Sequence, residues 1–148
     1  MKSKIVAALL AAPLMAVSFA AMAQSTPVGK WVTIDDSTKK PKSVVEITDN
    51  AGVLQGKVIK VLQSDQGPHP VCKKCTGSNQ NQPIEGLTII SNVKKNGSVW
   101  DGGQILDPAT GKTYSVKMTP AANGKSMQVR GFMGVSLLGR NQVWQRQN

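Results

Sequence analysis

Aromatic side chains are scarce in this chain of 148 residues, which contains three tryptophans, two phenylalanines and one tyrosine. A transmembrane β-barrel needs a girdle of aromatic residues at each membrane interface, and so few aromatic residues do not supply two girdles. Proteins that bind single-stranded nucleic acid stack bases on aromatic residues interleaved with basic ones, a pattern that the sequence lacks. We therefore expect neither a membrane-spanning barrel nor a nucleic-acid partner.

A long amphipathic helix is also missing, because no segment after residue 24 keeps the helical hydrophobic period over several turns. Short runs rich in Val, Ile, Thr and Trp alternate instead with turns rich in Asp, Asn, Gly and Pro. The runs are residues 29–34, 43–48, 53–62, 87–93, 99–106, 113–118, 127–131 and 142–145. We predict an all-β fold of about eight antiparallel strands, closed into a small up-and-down β-barrel because closure removes the exposed edges of the sheet.

The longest apolar run stands at the N-terminus, where residues 5–19 follow two early lysines. Ala21-Met22-Ala23 then places small residues at the two positions that a signal peptidase reads, so we predict a signal peptide over residues 1–23. The run is shorter than the roughly 20 residues of a membrane-spanning helix, and no cysteine follows it for lipid attachment. We expect a periplasmic or secreted bacterial protein whose residues 24–148 form a single barrel domain.

Cysteine and histidine are nearly absent, and the two cysteines and the single histidine all lie in PHPVCKKCTG, residues 68–77. Two cysteines usually pair in an oxidising compartment, so the favoured interpretation is a disulfide between Cys72 and Cys75. A bridge over so short a span closes a very small loop and adds little to stability through chain entropy. Its expected role is to shape the long loop 63–82 between the third and fourth strands.

Two other interpretations of this segment stay open. A thiol-redox site would use Lys73 and Lys74 to favour the thiolate, although a thioredoxin-type CxxC begins a helix and this chain predicts none. A metal site would use His69, Cys72 and Cys75, whose ligand types suit zinc or cuprous copper, although a closed zinc site needs a fourth ligand. The haem-attachment motif CxxCH is absent, and we predict no cofactor.

Acidic residues are outnumbered, since 18 lysines and arginines face 8 aspartates and glutamates and give a formal net charge of +10. Such a charge favours anionic partners, among them the phospholipid head groups and acidic glycans of a cell envelope. The lysines are scattered over predicted turns, however, and this is typical of solvated turns on a basic exported protein. The charge therefore indicates an anionic envelope component as a candidate partner, and it specifies no oligomeric state.

The two ends of the chain resemble the lipocalin and fatty-acid-binding superfamily, with Gly29-Lys30-Trp31 at the first predicted strand and Arg146 at the last. In that superfamily a Gly-x-Trp opens the first strand, and a C-terminal Arg packs across the Trp and closes the barrel floor. The resemblance implies these barrel-closing roles for Gly29, Trp31 and Arg146.

A second resemblance covers most of the chain after residue 24. Six segments occur in a fixed order along the chain, namely GKWVTIDD, PKSVVEI, the Cys72-x-x-Cys75 loop, QPIEGLTII, GGQILDPATGKTY and VRGFMGVSLLGRNQVWQR. Together they are similar to a family of small exported bacterial proteins known as domain of unknown function 2147. This resemblance implies export and a lipocalin-like barrel, and it implies no particular activity.

Four further residues are candidate contacts for a ligand or a partner. Trp100 precedes Gly102-Gly103, which predicts a bulge or bend of the kind that barrels use at corners. Arg130, Phe132 and Arg140 form a basic-aromatic cluster near the predicted final turn, which suits an anionic head group at the barrel mouth. The structural alternative places Trp100 in the core or at the rim and the arginines in salt bridges.

No spacing of carboxylates, histidine or nucleophiles indicates a catalytic site, so we expect a non-enzymatic protein. The first hypothesis is a binding module for a small apolar or amphiphilic ligand, or for an envelope component, at the barrel mouth. Because side chains alone fill many small barrels, the second hypothesis is a solid-core interaction protein of the cell envelope. The third is a thiol-redox or metal-binding factor that uses the CxxC loop.

Overall fold

The computed structural model describes residues 8–17, 25–135 and 137–148. Residues 8–17 adopt no regular secondary structure and are exposed to solvent. The basic start of the chain and the predicted cleavage position before residue 24 lie outside the described residues. Within the described ranges, no helix has the length and the apolar character needed to cross a lipid bilayer.

Eight antiparallel strands form the body of the molecule. They are β1 (Gly29–Ile34), β2 (Pro41–Asn50), β3 (Val53–Val61), β4 (Thr88–Asn96), β5 (Val99–Asp107), β6 (Lys112–Pro120), β7 (Ser126–Phe132) and β8 (Gly139–Arg146). Each strand pairs with the next one along the chain, and β8 pairs back with β1 at Trp31–Arg146 and Val32–Gln145. The sheet is a closed up-and-down barrel, which confirms the predicted fold class. Over the described ranges, the only helix is a single 3₁₀ turn, Gly77–Asn79.

Side-chain alternation explains why these segments form strands around a core. In β6, Val116 and Met118 are buried inside the barrel, whereas the residues between and before them are more exposed. The pairing of β5 with β6 shifts register between Trp100 and Gly103, where the glycine pair predicts a bulge. A Cβ on Gly103 would collide with the backbone oxygen of Ser91 in β4. Glycine therefore lets β4 and β5 approach closely at this bend.

The two ends of the barrel differ in their connections. The short turns β2–β3, β4–β5 and β6–β7 lie at one end, here called the closed end, together with the chain entering β1 and leaving β8. The other four connections lie at the opposite end, here called the open end, because alternate connections of an up-and-down barrel share one end. The longest of these connections is loop 62–87, between β3 and β4.

Large apolar side chains fill the barrel from its middle to the closed end. The buried residues of this half are Trp31, Val45, Ile47, Leu54, Val93, Val116, Met118 and Met127. Full burial of a side chain of this kind contributes about 1.5–3 kcal/mol. This half of the barrel therefore has a solid core that stabilises the fold.

Arg146 closes the floor of the barrel over Trp31. Its guanidinium carbon lies 4.3 Å from the centroid of the indole ring, which is a cation–π contact. The guanidinium also donates hydrogen bonds to the backbone oxygens of Thr26 at 2.7 Å and Val28 at 2.8 Å, ahead of β1. A Cβ on Gly29 would lie 2.6 Å from Arg146 Nη1, so a larger residue there would displace the arginine. The three residues singled out by the lipocalin resemblance thus meet at the barrel floor.

Candidate ligand-binding cavity

A cavity of about 850 Å³ opens at the open end of the barrel. This volume falls within the range of roughly 300–1,000 Å³ that is usual for small-molecule pockets. Most of its inner surface is apolar, and the apolar residues that line it include Val58, Ile84, Ile89, Ile105, Leu106, Val129 and Trp144. The barrel is therefore hollow in one half and filled in the other. The sequence alone leaves both a hollow and a solid barrel open.

Several polar groups of the wall are paired with one another. The hydroxyl oxygens of Thr33 in β1 and Ser43 in β2 lie 2.7 Å apart. Trp144 donates its indole N–H to Gln142 Oε1 at 2.9 Å, and the Gln142 amide donates to Asp36 Oδ1 at 3.1 Å. No buried side-chain nitrogen or oxygen in the described part of the chain lacks a hydrogen-bond partner. The hydrogen bonds of Thr33, Ser43, Gln142 and Trp144 leave the apolar side chains as most of the wall's surface.

Charged side chains line the rim of the cavity, and two of the rim cations are paired. Lys42 Nζ lies 3.7 Å from the Asp35 carboxylate. The Arg140 guanidinium lies 3.0 Å from Asp36 and 4.0 Å from Asp107. All of these side chains are at least partly exposed, so the pairs contribute little to stability. They hold the two cations Lys42 and Arg140 beside three carboxylates at the cavity mouth.

Asp35 shapes the β1–β2 turn at this rim. Its Oδ1 accepts hydrogen bonds from the backbone N–H groups of Thr38 at 2.8 Å and Ser37 at 2.9 Å. These bonds, that from Thr38 above all, and the nearby Lys42 ammonium hold the pKa of the Asp35 carboxyl below its ordinary value. The carboxylate therefore stays ionised at neutral pH. Its contribution to the turn is lost only as the pH falls through this lowered pKa.

The two cysteines form a disulfide on loop 62–87, which folds over one side of the open end. Cys72 and Cys75 are bonded to each other, with Cα atoms 5.3 Å apart, and both are buried, which confirms the predicted disulfide. Backbone hydrogen bonds hold the turn. The Cys72 N–H donates to the backbone oxygen of Gln82 at 2.8 Å, and the Asn81 N–H donates to the backbone oxygen of Cys72 at 2.9 Å. In this bonded state neither sulfur is a thiolate that could ligate a metal or attack another disulfide.

The disulfide turn packs closely against the β5–β6 turn. Cys72 Sγ lies 3.6 Å from the backbone oxygen of Pro108. A Cβ on Gly111 would collide with the backbone oxygen of Lys74, and Gly111 has a φ of +70°, which favours glycine. Glycine at this position therefore lets the two turns touch. The contact places both Lys73 and Lys74 on the rim of the cavity.

Comparisons with known proteins give the family and the fold of this barrel. Residues 29–146 match the model of a family described as "Uncharacterized protein conserved in bacteria (DUF2147)". The chain belongs to this family. The DUF2147 barrel is similar to the solved structure "Protein HP1028 from the human pathogen Helicobacter pylori belongs to the lipocalin family", with a TM-score of 0.70 and 21% identity over 82% of each chain. At this identity the likeness shows a lipocalin-like fold. No curated protein matches the chain.

The candidate contact residues lie in different parts of the DUF2147 barrel. Phe132 and Arg140 line the cavity, at the open ends of β7 and β8. Arg130 lies nearby on β7 but outside the lining, and it donates a 2.9 Å hydrogen bond to a side chain of β8. Trp100 packs partly against the core near the closed end, and the Lys95 ammonium lies 5.6 Å from its ring centroid. The structure thus brings Phe132 and Arg140 to the cavity and places Trp100 away from it.

His69 lies on the exposed part of loop 62–87. Among the residues that the structure describes, no group of three or more His, Cys, Asp or Glu side chains converges as a metal site would require. His69 and the cysteines of the metal hypothesis therefore form no ligand set in this conformation.

Most of the cavity rim of the DUF2147 barrel is not evident from the sequence. Lys42, Tyr114 and Gln142 line the cavity from three strands that are far apart in the chain. The one usable signal is topological, because the starts of even strands and the ends of odd strands share one end of an up-and-down barrel. In the sequence, Lys73 and Lys74 stand out only as cations that would favour a thiolate, whereas the structure places them on the rim.

Proposed function

We propose that the protein is an exported, non-enzymatic binding module that holds a small apolar or amphiphilic molecule in the open half of its barrel. The observation that carries the proposal is the cavity of about 850 Å³, which is mostly apolar inside and charged at its rim. Burial of apolar surface stabilises a complex by roughly 25 cal/mol per Å², so an apolar guest gains most from the inner wall. An eight-stranded barrel with one open end is wide enough to hold one small ligand.

The sequence and the disulfide support export. An apolar run followed by small residues before residue 24 is typical of a signal peptide, and disulfides persist in oxidising compartments such as the periplasm. We expect the intact mass of the protein recovered from the periplasm to equal that of residues 24–148 with the disulfide formed. A mass that still includes residues 1–23, or recovery with the cytosol alone, would contradict export.

Cavity binding is tested by filling the cavity. Ile105 lines the inner wall, so an Ile105→Trp substitution places a larger ring in the space that the guest would occupy. We expect the wild-type protein to bind the neutral dye N-phenyl-1-naphthylamine and the variant to bind it at least about tenfold more weakly, which corresponds to about 1.4 kcal/mol. The dye is followed by its fluorescence increase in apolar surroundings.

The matched control is Val143→Trp, because Val143 lies on the outer face of β8 and is 50% exposed. This variant adds the same indole outside the cavity, and we expect its dye affinity to stay within about twofold of wild type. Absence of dye binding by the wild-type protein, or equal binding by Ile105→Trp, would overturn the proposal.

The second candidate function is that of an interaction protein of the cell envelope, and the β7–β8 loop favours it. Four apolar side chains of this loop are exposed, Met133 (53%), Val135 (60%), Leu137 (87%) and Leu138 (72%). A cluster of exposed apolar side chains is typical of an interaction surface, and the net charge of +10 favours an anionic partner. Binding to phosphatidylglycerol vesicles without any uptake of dye would favour this function over the first.

A further inference from the structure

We propose that the bound molecule carries an anionic head group and that Lys73 and Lys74 bind this group at the rim of the cavity. The inference rests on the proposed function and adds the chemical class of the ligand. That class is an apolar chain or ring that ends in a carboxylate or a phosphate. The inner wall would hold the apolar part, and the two ammonium groups would hold the anion.

The position of the lysine pair is set by the disulfide turn. Lys73 and Lys74 are the two residues between the bonded cysteines, and both line the cavity. The cysteines themselves are buried, with exposed fractions of 0% for Cys72 and 3% for Cys75, whereas both lysines are exposed. The backbone of the turn is therefore fixed in the protein while the two ammonium groups remain accessible to a ligand.

A second contact fixes the same turn from the other side. Gly111 of the β5–β6 turn approaches the backbone of Lys74 so closely that a Cβ would also lie 2.9 Å from the Cys75 nitrogen. Two elements that are distant in the sequence thus hold the lysine pair in place. A fixed pair loses less conformational entropy when it binds an anion than a pair on a loose loop would.

The charges on the rim leave this pair available. Lys42 and Arg140, the other cations that line the cavity, are paired with aspartates at 3.7 Å and at 3.0 Å, respectively. In the described part of the chain, no carboxylate lies within 4.0 Å of the Lys73 or Lys74 ammonium group. Among the residues that the structure describes, Asp65 is the one carboxylate of the cavity lining that belongs to neither of these salt bridges. Two adjacent ammonium groups without a carboxylate within 4.0 Å favour an anion beside them.

The test uses three probes that share one tail and differ in charge, namely dodecanoate, dodecanol and dodecylammonium. Each displaces N-phenyl-1-naphthylamine from the protein at concentrations below micelle formation. We expect wild-type protein to bind dodecanoate at least about tenfold more tightly than dodecanol, and dodecylammonium more weakly than either. The preference for dodecanoate should fall as salt is added, since the head group and the lysines meet near solvent.

The decisive variant is Lys73→Ala with Lys74→Ala, and the matched control is Lys39→Ala with Lys40→Ala. Lys39 and Lys40 form an equal pair on an exposed turn at the same end of the barrel, but they do not line the cavity. We expect the first double variant to lose about tenfold in dodecanoate affinity while its dodecanol affinity stays within about twofold. The control should keep both affinities within about twofold of wild type.

Two failures of this test have different meanings. Equal binding of dodecanoate and dodecanol, or an equal loss in the control pair, would overturn the head-group assignment and leave cavity binding intact. Failure of wild-type protein to bind the neutral dye and all three probes would overturn the proposed function, and the head-group assignment with it. Intact mass and circular dichroism establish that each variant keeps the disulfide and the fold, which we expect because the replaced side chains are exposed.

Discussion

Replacing Trp31 by alanine is expected to lower the free energy of unfolding by about 3–5 kcal/mol. The indole is fully buried at the barrel floor, where it donates its N–H to the backbone oxygen of Pro27 at 2.7 Å. It also stacks against Arg146, whose guanidinium donates a hydrogen bond to the backbone oxygen of Val28 ahead of β1. Loss of the ring therefore leaves a cavity and removes the surface on which the arginine stacks. Urea denaturation followed by circular dichroism measures the change.

Trp100→Ala is the matched control for this prediction. Trp100 also lies near the closed end, but it is only partly buried, so its truncation removes less buried surface and should cost clearly less. Equal losses in the two variants would show that the floor is not a principal source of stability. If Trp31→Ala does not fold, Arg146→Lys keeps the charge but removes the planar stack, and we expect it to cost about 1.5–3 kcal/mol.

Replacing Gly111 by alanine is expected to have the second large effect, a loss of about 2–5 kcal/mol in unfolding free energy together with displacement of the disulfide turn. An alanine Cβ would collide with the backbone oxygen of Lys74, and neither backbone can yield without moving a turn. The residue would also be held at a φ of +70°, which is strained for any residue with a Cβ. Urea denaturation gives the loss, and amide exchange at residues 72–75 reports the displaced turn.

Gly97→Ala separates the collision from the backbone strain. Gly97 has a φ of +65° in the β4–β5 turn, and a Cβ there would meet nothing within 4 Å. The unfolding free energy of this variant should therefore fall by only about 1–2 kcal/mol, because the left-handed conformation alone strains the alanine. A loss in Gly111→Ala no larger than that in Gly97→Ala, with unchanged amide exchange in the disulfide turn, would show that the two turns are not in tight contact.

Strand identity was largely predictable because it depends on local patterns. The alternation of Tyr114, Val116 and Met118 predicts β6, and the structure buries Val116 and Met118 inside the barrel. The prediction was weakest in β8, expected at residues 142–145 and observed over Gly139–Arg146. The first residues of β8 are polar and exposed, so they carry no alternation, and their strand conformation comes from pairing with β7.

The sequence by itself determined the all-β class, the lipocalin-like resemblance of the two chain ends and the pairing of the two cysteines. Only the tertiary structure decided that the barrel is hollow at one end, and that Lys73 and Lys74 face this space while Trp100 does not. The reason is the range of the interactions involved. A strand needs alternation within a few residues, whereas a rim contact such as Gln142 to Asp36 joins positions 106 residues apart. Which side chains share the cavity depends on the registers of all eight strands at once, and no short segment contains that information.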